Sequence, residues 1–560
     1  AVGSGALENL NYDGASNNTA VGHNSGNDIT TGVQNTFLGS LAGDALTTGV
    51  DNVALGYAAL TSAMAGNRSV AIGSSALQGQ NHGVSAGQSF NNVAIGYNAG
   101  GAVSTGLQNV IIGANAGDAL SSASFNVAVG YQALSQEDAN GRNVAIGYNS
   151  LATQNAGTDA YSVAVGFKAS EASVTGLYNT AVGGEALLTN IDGDNNTAMG
   201  YTALKTFEAD TDGHGNNTAI GSAAMRDATT ATGCTAVGYF ALGQGTMTGN
   251  DNIGIGHSAG LFLAAGSDNI LIGNFAGDNL DAGTRNVAIG RNALSAENGQ
   301  GKNVAIGYQA LKAQDAGADA FNVAIGYDAG VAVQDGVNQV LVGGNAGVAL
   351  TDGANNVVVG RSALETAQSD SNNVAVGYAA LNTQNGAGTS YNVAIGHLAG
   401  GTISTGTQNT IVGGLAADEI STGTDNVVMG YQSMTNADST ESRNVSIGNY
   451  ALNAMDNGST TNTYNTAVGY YSGVAVDTGI QNTILGALTG DALTTGSNNT
   501  IIGYNAAASA VDVNNEIVLG DSNITHLRCN ASSLSGLSDK RDKKDIKDST
   551  YGLDFVDSLK

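Results

Sequence analysis

The chain has 560 residues, of which 82 are Gly, none is Pro or Trp, and 11% are charged, with a formal net charge of −28 at pH 7. A hydrophobic content of 42% is too high for an intrinsically disordered chain, and its short apolar runs fall far below the roughly 20 residues of a membrane-spanning helix. From these short runs we expect no membrane insertion. Because 40 acidic and only 12 basic residues precede residue 538, we also expect no binding of nucleic acid through phosphates.

The first residues, AVGSGALENL, contain neither a Met nor a signal-peptide pattern. We therefore expect the natural N-terminus to precede residue 1. The two cysteines, Cys234 and Cys529, are too far apart in a chain of local repeats to indicate a disulfide framework. Both are interpreted as small buried apolar residues.

A short phrase, N-x-x-[IVLM]-G, recurs from Gly3 to Gly520. Its clearest copies include NVAIGYNAG at residue 92, NVAIGYQAL at 303 and NVAIGHLAG at 392. The glycine of each copy, here called the marker glycine, occurs 30 times, mostly at intervals of 17 residues, and the other intervals are all longer. Seventeen extended residues trace about 56 Å, which is enough for one turn around a narrow roll. The sequence therefore predicts an all-β fold, a parallel β-solenoid of about 30 coils in residues 1–520.

Three positions of the repeat have predicted structural roles. The Asn four residues before the marker glycine, as in Asn92 and Asn109, is expected to form a ladder of stacked amides along the rod. The aliphatic residue directly before the glycine is assigned to the interior. The glycine is expected either to adopt a positive φ or to allow a close approach of neighbouring backbone.

A slower rhythm of about four coils accompanies the 17-residue repeat. In these coils the residue two before the marker glycine changes from Ala to a bulky side chain: Phe37, Ile111, Leu271, Leu341, Ile411 and Ile484. Longer polar insertions that end in an aromatic residue recur at a similar spacing and are expected to protrude: residues 78–90, 153–161, 312–321, 383–391 and 454–464.

The residue after the marker glycine is Tyr in 12 coils. A row of aromatic rings on one edge can stack on sugar rings, and it can equally cover the backbone of the next coil. The candidate ligand-binding residues are Tyr57, Tyr97, Tyr131, Tyr148, Tyr308 and Tyr327. His23, His257 and His397 occupy the same position but are too far apart to meet as metal ligands within one chain.

We expect no metal site and no cofactor. The acidic turns at Asp192 and Asp194 and at residues 210–213 resemble fragments of calcium loops but lack the bidentate Glu at the required spacing. No nucleophile, phosphate-binding or zinc pattern occurs in the repeats, so enzymatic activity is not expected of the body.

The 17-residue rhythm stops after Gly520. Residues 521–537 are interpreted as a transition segment, and residues 538–560 begin with SDKRDKKDI. This stretch, with Gly552, Leu553, Phe555 and Leu559 after it, resembles the start of the intramolecular chaperone domain of phage tail spikes, tail fibres and endosialidases. The resemblance implies that residues 538–560 are the truncated start of that domain.

The same resemblance implies self-cleavage of the Leu537–Ser538 bond in the full-length protein. Ser538 would be the nucleophile and Lys543 the general base, since a Lys with a pKa lowered by burial can accept the hydroxyl proton.

The body resembles the head repeats of trimeric autotransporter adhesins. That resemblance implies a left-handed β-roll and a homotrimer. Together the two resemblances imply a phage tail fibre in the virion that presents a rigid solenoid to a polysaccharide or protein receptor on the host cell. The alternative is a trimeric adhesin or structural filament on a bacterial cell surface.

Overall fold

The computed structural model describes residues 1–81, 89–208, 215–299, 301–386, 388–437, 440–458 and 462–528. This part of the chain contains 29 strands of three residues each and no helix. The strands are β1 Thr19–Val21, β2 Thr36–Leu38, β3 Val53–Leu55, β4 Val70–Ile72, β5 Val93–Ile95, β6 Val110–Ile112, β7 Val127–Val129, β8 Val144–Ile146, β9 Val163–Val165, β10 Thr180–Val182, β11 Thr197–Met199, β12 Thr218–Ile220, β13 Thr235–Val237, β14 Ile253–Ile255, β15 Ile270–Ile272, β16 Val287–Ile289, β17 Val304–Ile306, β18 Val323–Ile325, β19 Val340–Val342, β20 Val357–Val359, β21 Val374–Val376, β22 Val393–Ile395, β23 Thr410–Val412, β24 Val427–Met429, β25 Val445–Ile447, β26 Thr466–Val468, β27 Thr483–Leu485, β28 Thr500–Ile502 and β29 Ile517–Leu519.

Every strand pairs in parallel with the next strand along the chain, so that one sheet follows the whole body. The register joins equivalent positions of the repeat, for example Val93 to Val110 and Ile95 to Ile112. Before β1, the first coil contributes only an isolated bridge between Val2 and Val21. The predicted all-β parallel solenoid with a 17-residue repeat is confirmed, whereas its handedness and its oligomeric state stay predictions.

Side chains alternate between the inside and the outside of each coil. In β5 the middle residue, Ala94, is fully buried, while Ile95 is 36% exposed. The prediction that the residue directly before the marker glycine lies in the interior is therefore wrong. Because the Asn four residues before the glycine points inward and side chains alternate with a period of two, a residue three positions after that Asn points outward.

The buried asparagines form the predicted ladder. The side-chain oxygen of Asn392 accepts hydrogen bonds from the backbone N–H of Asn409 at 2.9 Å and from its side-chain amide at 3.2 Å. The same amide of Asn409 also donates across the coil to the carbonyl of Gly423 at 2.8 Å. Each rung therefore ties one coil to the previous one and also holds two walls of its own coil together. In the described residues, Ser69, Ser162, Cys234 and Gln339 take the place of Asn in some coils.

The marker glycines meet both expectations of the sequence. Gly96 has a φ of 137°, and a Cβ placed on it would lie 2.6 Å from the carbonyl carbon of Gly113 in the next coil. Side chains of L-residues do not tolerate either condition. A marker glycine thus permits the stacking distance between coils at this corner.

Two positions of the core are matched between neighbouring coils. Where the residue two before the marker glycine is Ala, the residue four after the glycine is usually a buried Leu, as in Leu311. Where the first position is bulky, as at Leu341, the second position is Gly both in the previous coil, at Gly330, and in the same coil, at Gly347. A Cβ on Gly330 would lie 2.5 Å from Leu341 Cδ1, so the two large residues exclude one another. This second position also has a left-handed φ, for example 48° at Leu311.

The insertions protrude only in part. In four of the coils that carry them, a fully buried Gln replaces the apolar residue seven positions after the marker glycine: Gln80, Gln154, Gln314 and Gln384. The amide oxygen of Gln384 accepts a hydrogen bond of 2.9 Å from the ladder residue Asn392. Gln80 and Gln314 accept the equivalent hydrogen bond from Asn92 and Asn322, whereas Gln154 donates to the carbonyl of Val174 instead.

Candidate glycan-binding surface

The residues that follow the marker glycines line one edge of the solenoid, here called the tyrosine corner. All six candidate tyrosines lie on it and are between 38% and 62% exposed: Tyr57, Tyr97, Tyr131, Tyr148, Tyr308 and Tyr327. Their side chains are partly exposed in a line along the rod. The structure thus places these residues where a long ligand can reach them.

Many of these rings stack on one another. The ring centroids of Tyr308 and Tyr327 are 5.2 Å apart with an interplanar angle of 12°, and those of Tyr131 and Tyr148 are 5.4 Å apart. Stacking of this kind orients the rings and reduces the entropy they lose when a ligand binds. The sequence left open that the rings cover the backbone of the next coil. In the structure, many of them contact the aromatic ring of the next coil.

The histidines at this corner belong to the same stacks. His257 lies 5.3 Å from the ring of Tyr239, and His397 lies 5.3 Å from that of Tyr378. Among the residues that the structure describes, no group of three or more His, Cys, Asp or Glu side chains is placed to hold a metal ion.

A groove of about 510 Å³ opens beside the tyrosine corner and spans four coils. It is here called the Tyr378 groove. The residues that matter for its chemistry are Glu365, Tyr378, Asn382, Leu398, Gly401, Asp418 and Glu419. Its volume lies in the usual range of about 300–1,000 Å³ for small-molecule sites.

The groove exists because one coil lacks a side chain. The fifth residue after the marker glycine is Asn382, Gly401 and Asp418 in three consecutive coils, so Gly401 leaves a gap between two polar side chains. At the equivalent Gly101, the side-chain oxygen of Asn98 lies 2.1 Å from the position of a Cβ and fills the space. In the Tyr378 groove Leu398 stands in the place of Asn98, and the space remains open.

The walls of the groove are acidic. Burial, and secondly the charge of Glu419, raises the pKa of the Asp418 carboxyl from 3.8 to about 6. One oxygen of Asp418 is buried without a hydrogen-bond partner. On the other side, Asn382 donates a hydrogen bond of 2.7 Å to Glu365 and fixes that carboxylate. None of the residues that line the groove is basic.

The sequence did not identify this groove. Tyr378 belongs to the aromatic row, but Glu365, Asn382, Gly401 and Asp418 come from four different coils and form no local motif. The only signal that could have indicated it is the Gly at a position that is polar in the two neighbouring coils.

A second corner, formed by the residue five before the marker glycine, carries Arg68, Arg142, Arg285, Lys302 and Arg443, three of them next to aromatic rings. The guanidinium of Arg142 lies 5.6 Å and 5.4 Å from the rings of Phe125 and Tyr161, and it forms an ion pair with Asp159. Arg443 lies 5.7 Å from the Tyr464 ring and 3.4 Å from Asp425. Because an aspartate accompanies each of these cations, this corner is not an open basic surface.

The predicted cleavage site cannot be compared with the fold. Leu537, Ser538 and Lys543, like Cys529, lie outside the described residues. The last strand, β29, ends at Leu519, and residues 521–528 contain no strand. Cys234 is fully buried, and burial raises the pKa of its thiol to about 11.

No helix in the described part of the chain is long and apolar enough to cross a membrane. Comparison with known proteins finds no family model and no curated protein that matches the chain.

Proposed function

We propose that the chain is the body of a self-associating adhesive fibre, a phage tail fibre that presents a rigid β-solenoid to the host cell surface as a homotrimer. The resemblance of SDKRDKKDI to the start of tail-fibre chaperone domains supports the assignment to a virion. The aromatic stacks and the Tyr378 groove support adhesion to a surface ligand.

One observation carries the proposal: the outer face of the sheet is uncharged along its entire length. In all 29 strands the first and third residues, which point outward, are Val, Ile, Leu, Met or Thr. These residues, here called the aliphatic face, are partly exposed in the single chain, for example Ile325 at 38% and Met429 at 39%. In a chain with a net charge of −28, chance does not keep one face free of charges.

Other copies of the same chain are the best occupants of this face. At about 4.8 Å per strand, 29 strands give a patch on the order of 1,000 Å², which exceeds the roughly 800 Å² per partner of a stable interface. Monomeric soluble proteins rarely expose a contiguous apolar patch of this size. Identical strand spacing in every copy lets the aliphatic faces of two chains interdigitate along their whole length.

The oligomeric state tests the proposal. Native chain measured by light scattering after gel filtration is expected to have three times the mass of one chain. Ile146→Glu places a charge on the aliphatic face and is expected to reduce the mass to that of a monomer, because an unpaired charge in an apolar interface costs several kcal/mol. Gln136→Glu adds the same charge at an exposed position on another wall of the same coil and is expected to leave the mass unchanged. A monomeric native chain contradicts self-association.

The tail carries a separate test of the virion assignment. Expression of the full-length gene product is expected to yield a fragment that ends at Leu537, and Ser538→Ala is expected to abolish it because the nucleophile is lost. Mass spectrometry reads both products. An intact wild-type product contradicts the chaperone assignment.

A further inference from the structure

The geometry points to the Tyr378 groove as a binding site for an uncharged oligosaccharide, and this inference rests on the adhesive function proposed above. It specifies which part of the rod meets the ligand and which class of polysaccharide is recognised. The groove combines an exposed aromatic ring, polar side chains on both sides and Gly401 between them. This combination distinguishes it from the rest of the surface.

The platform is the ring of Tyr378, which is 49% exposed. Its other face stacks on the ring of His397, with centroids 5.3 Å apart and an interplanar angle of 15°. The stack holds the ring upright without a ligand, so little entropy is lost on binding. Such a ring face binds the apolar C–H face of a sugar ring.

The polar groups stand where sugar hydroxyls would lie. Glu365 is held by Asn382 at 2.7 Å, and Asn382 also donates to the carbonyl of Ser362 at 3.0 Å. On the opposite wall, the side chains of Asp418 and Glu419 line the groove. Carboxylate oxygens accept hydrogen bonds from sugar hydroxyls.

Charge selects against acidic sugars. Glu365, Asp418 and Glu419 line the groove, no cation lines it, and the chain as a whole carries −28. A carboxylate or sulfate on the ligand would meet repulsion from the walls and from the whole rod. The hydroxyls of neutral sugars donate hydrogen bonds to these carboxylates without charge repulsion.

Gly401 makes the site testable without changing its polar groups. Its φ lies in the ordinary range, and a Cβ on it would lie 3.3 Å from the carbonyl oxygen of Leu398 and 3.6 Å from Leu398 Cδ2. Asn382 occupies the same position of the repeat one coil earlier. Gly401→Asn is therefore expected to fold and to fill the groove.

Calorimetric titration of the full chain with defined hexasaccharides tests the inference. The neutral probes are hexamers of glucose, mannose, galactose and N-acetylglucosamine, and the anionic probes are hexamers of galacturonate and sialic acid. At least one neutral hexamer is expected to bind, and each anionic hexamer at least tenfold more weakly. Tyr378→Ala and Gly401→Asn are each expected to weaken the neutral hexamer about tenfold.

Tyr504→Ala is the matched control, since Tyr504 has the same position in its coil, is 68% exposed and lies outside the groove. It is expected to bind like the native chain. Failure of every neutral hexamer, unchanged binding by Gly401→Asn, or tighter binding of an anionic hexamer overturns the inference. The trimer mass, measured on the same samples, reports separately on the proposed fibre, which fails if the native chain is monomeric and stands if only the titrations fail.

Discussion

At the scale of single residues, the ladder asparagine explains why a coil with so little apolar surface is stable. Asn409 donates hydrogen bonds to the side-chain oxygen of Asn392 and accepts one from the backbone N–H of Asn426. Its amide also donates to the carbonyl of Gly423 on the far wall. All of these groups are buried, where an unpaired polar atom costs about 1–3 kcal/mol. The ladder therefore gives coils stacked in register a lower free energy than any shifted arrangement.

We expect Asn409→Ala to destabilise its neighbourhood by about 1–3 kcal/mol for each buried group left unpaired. The backbone N–H of Asn426 and the carbonyl of Gly423 lose their partners. Hydrogen exchange of the amides in β22, β23 and β24 measures the loss. The control, Thr405→Ala, removes an exposed side chain of the preceding coil and is expected to change exchange by no more than about 0.5 kcal/mol. Equal protection in both variants contradicts a structural role of the ladder.

We expect the groove region to become more stable as the pH falls from about 6 towards 4. The pKa of Asp418 is raised from 3.8 to about 6, chiefly by burial, so the folded state holds this proton more tightly than the unfolded state. The stabilisation that this proton provides is fully present below 3.8, the pKa of Asp418 in the unfolded state, and is lost as the pH rises through about 6. Asp418→Asn is expected to stabilise β23 and β24 by about 1 kcal/mol at pH 7, allowing for solvent exposure, and to have little effect at pH 4.

Hydrogen exchange at the two pH values measures this difference. Glu419→Gln removes an exposed neighbouring charge that is only the second cause of the shift, so a smaller effect is expected. A stabilisation by Asp418→Asn that is the same at pH 4 and pH 7 contradicts the role of the buried carboxylate.

Sequence reasoning succeeded for residues whose role repeats in every coil and failed where the outcome depends on direction or on neighbouring coils. The Asn ladder follows from the identity of stacked positions. The inward assignment of residues such as Ile95 was wrong because their aliphatic character reflects the aliphatic face and not the core. The Tyr378 groove depends on Gly401 and Leu398, which differ from the residues at the same positions of other coils. That difference is visible only once the coils are aligned in space.

At the scale of elements, the volume match between coils sets which coil can follow which. Leu341 is accommodated by Gly330 in the previous coil and by Gly347 in its own. In most other coils Ala and Leu occupy the two positions, as Ala305 and Leu311 do. Large side chains at both positions would overlap, so each bulky residue is matched by glycines. The slower rhythm seen in the sequence is thus a packing pattern, which the sequence showed as a period without its cause.

We expect the two positions to be energetically coupled. Leu341→Ala alone leaves a cavity and is expected to cost about 2–5 kcal/mol. Gly330→Leu alone forces a side chain towards Leu341 Cδ1 and is expected to destabilise the same coils by overpacking. The double variant restores the Ala and Leu arrangement and is expected to be less destabilised than the sum of the two. Thermal unfolding of the three variants gives the coupling, and strict additivity contradicts the volume match.

At the scale of the whole molecule, the body is a one-dimensional stack in which strands contact only the preceding and following strands. Its stability is then a sum of coil terms and interface terms, without a single core that must form at once. The repeat and the parallel sheet could be predicted because period and composition determine them. The handedness of the coils and the association of chains stay predictions, because the 17-residue period by itself determines neither.

We expect the rod to tolerate the removal of four whole coils. Deletion of residues 286–355 joins Arg285 to Asn356. Asn356 then takes the place of Asn286, whose backbone N–H donates to the side-chain oxygen of Asn269. The rod should shorten by about 19 Å, which small-angle scattering can measure, with an unchanged circular dichroism spectrum per residue. Deletion of residues 286–347, which is not a whole number of coils, is expected to break the ladder and unfold the flanking strands. Equal tolerance of both deletions contradicts the register.

The pairing of Leu341 with Gly330 also has a consequence for how such genes change. Unequal crossing-over between similar coils would lengthen or shorten the rod, and most breakpoints would join compatible neighbours. A breakpoint between a coil such as that of Gly330 and its bulky successor instead places a Leu against a Leu. We therefore expect rods of this type to differ in length by blocks of about four coils, because such blocks keep each matched pair intact.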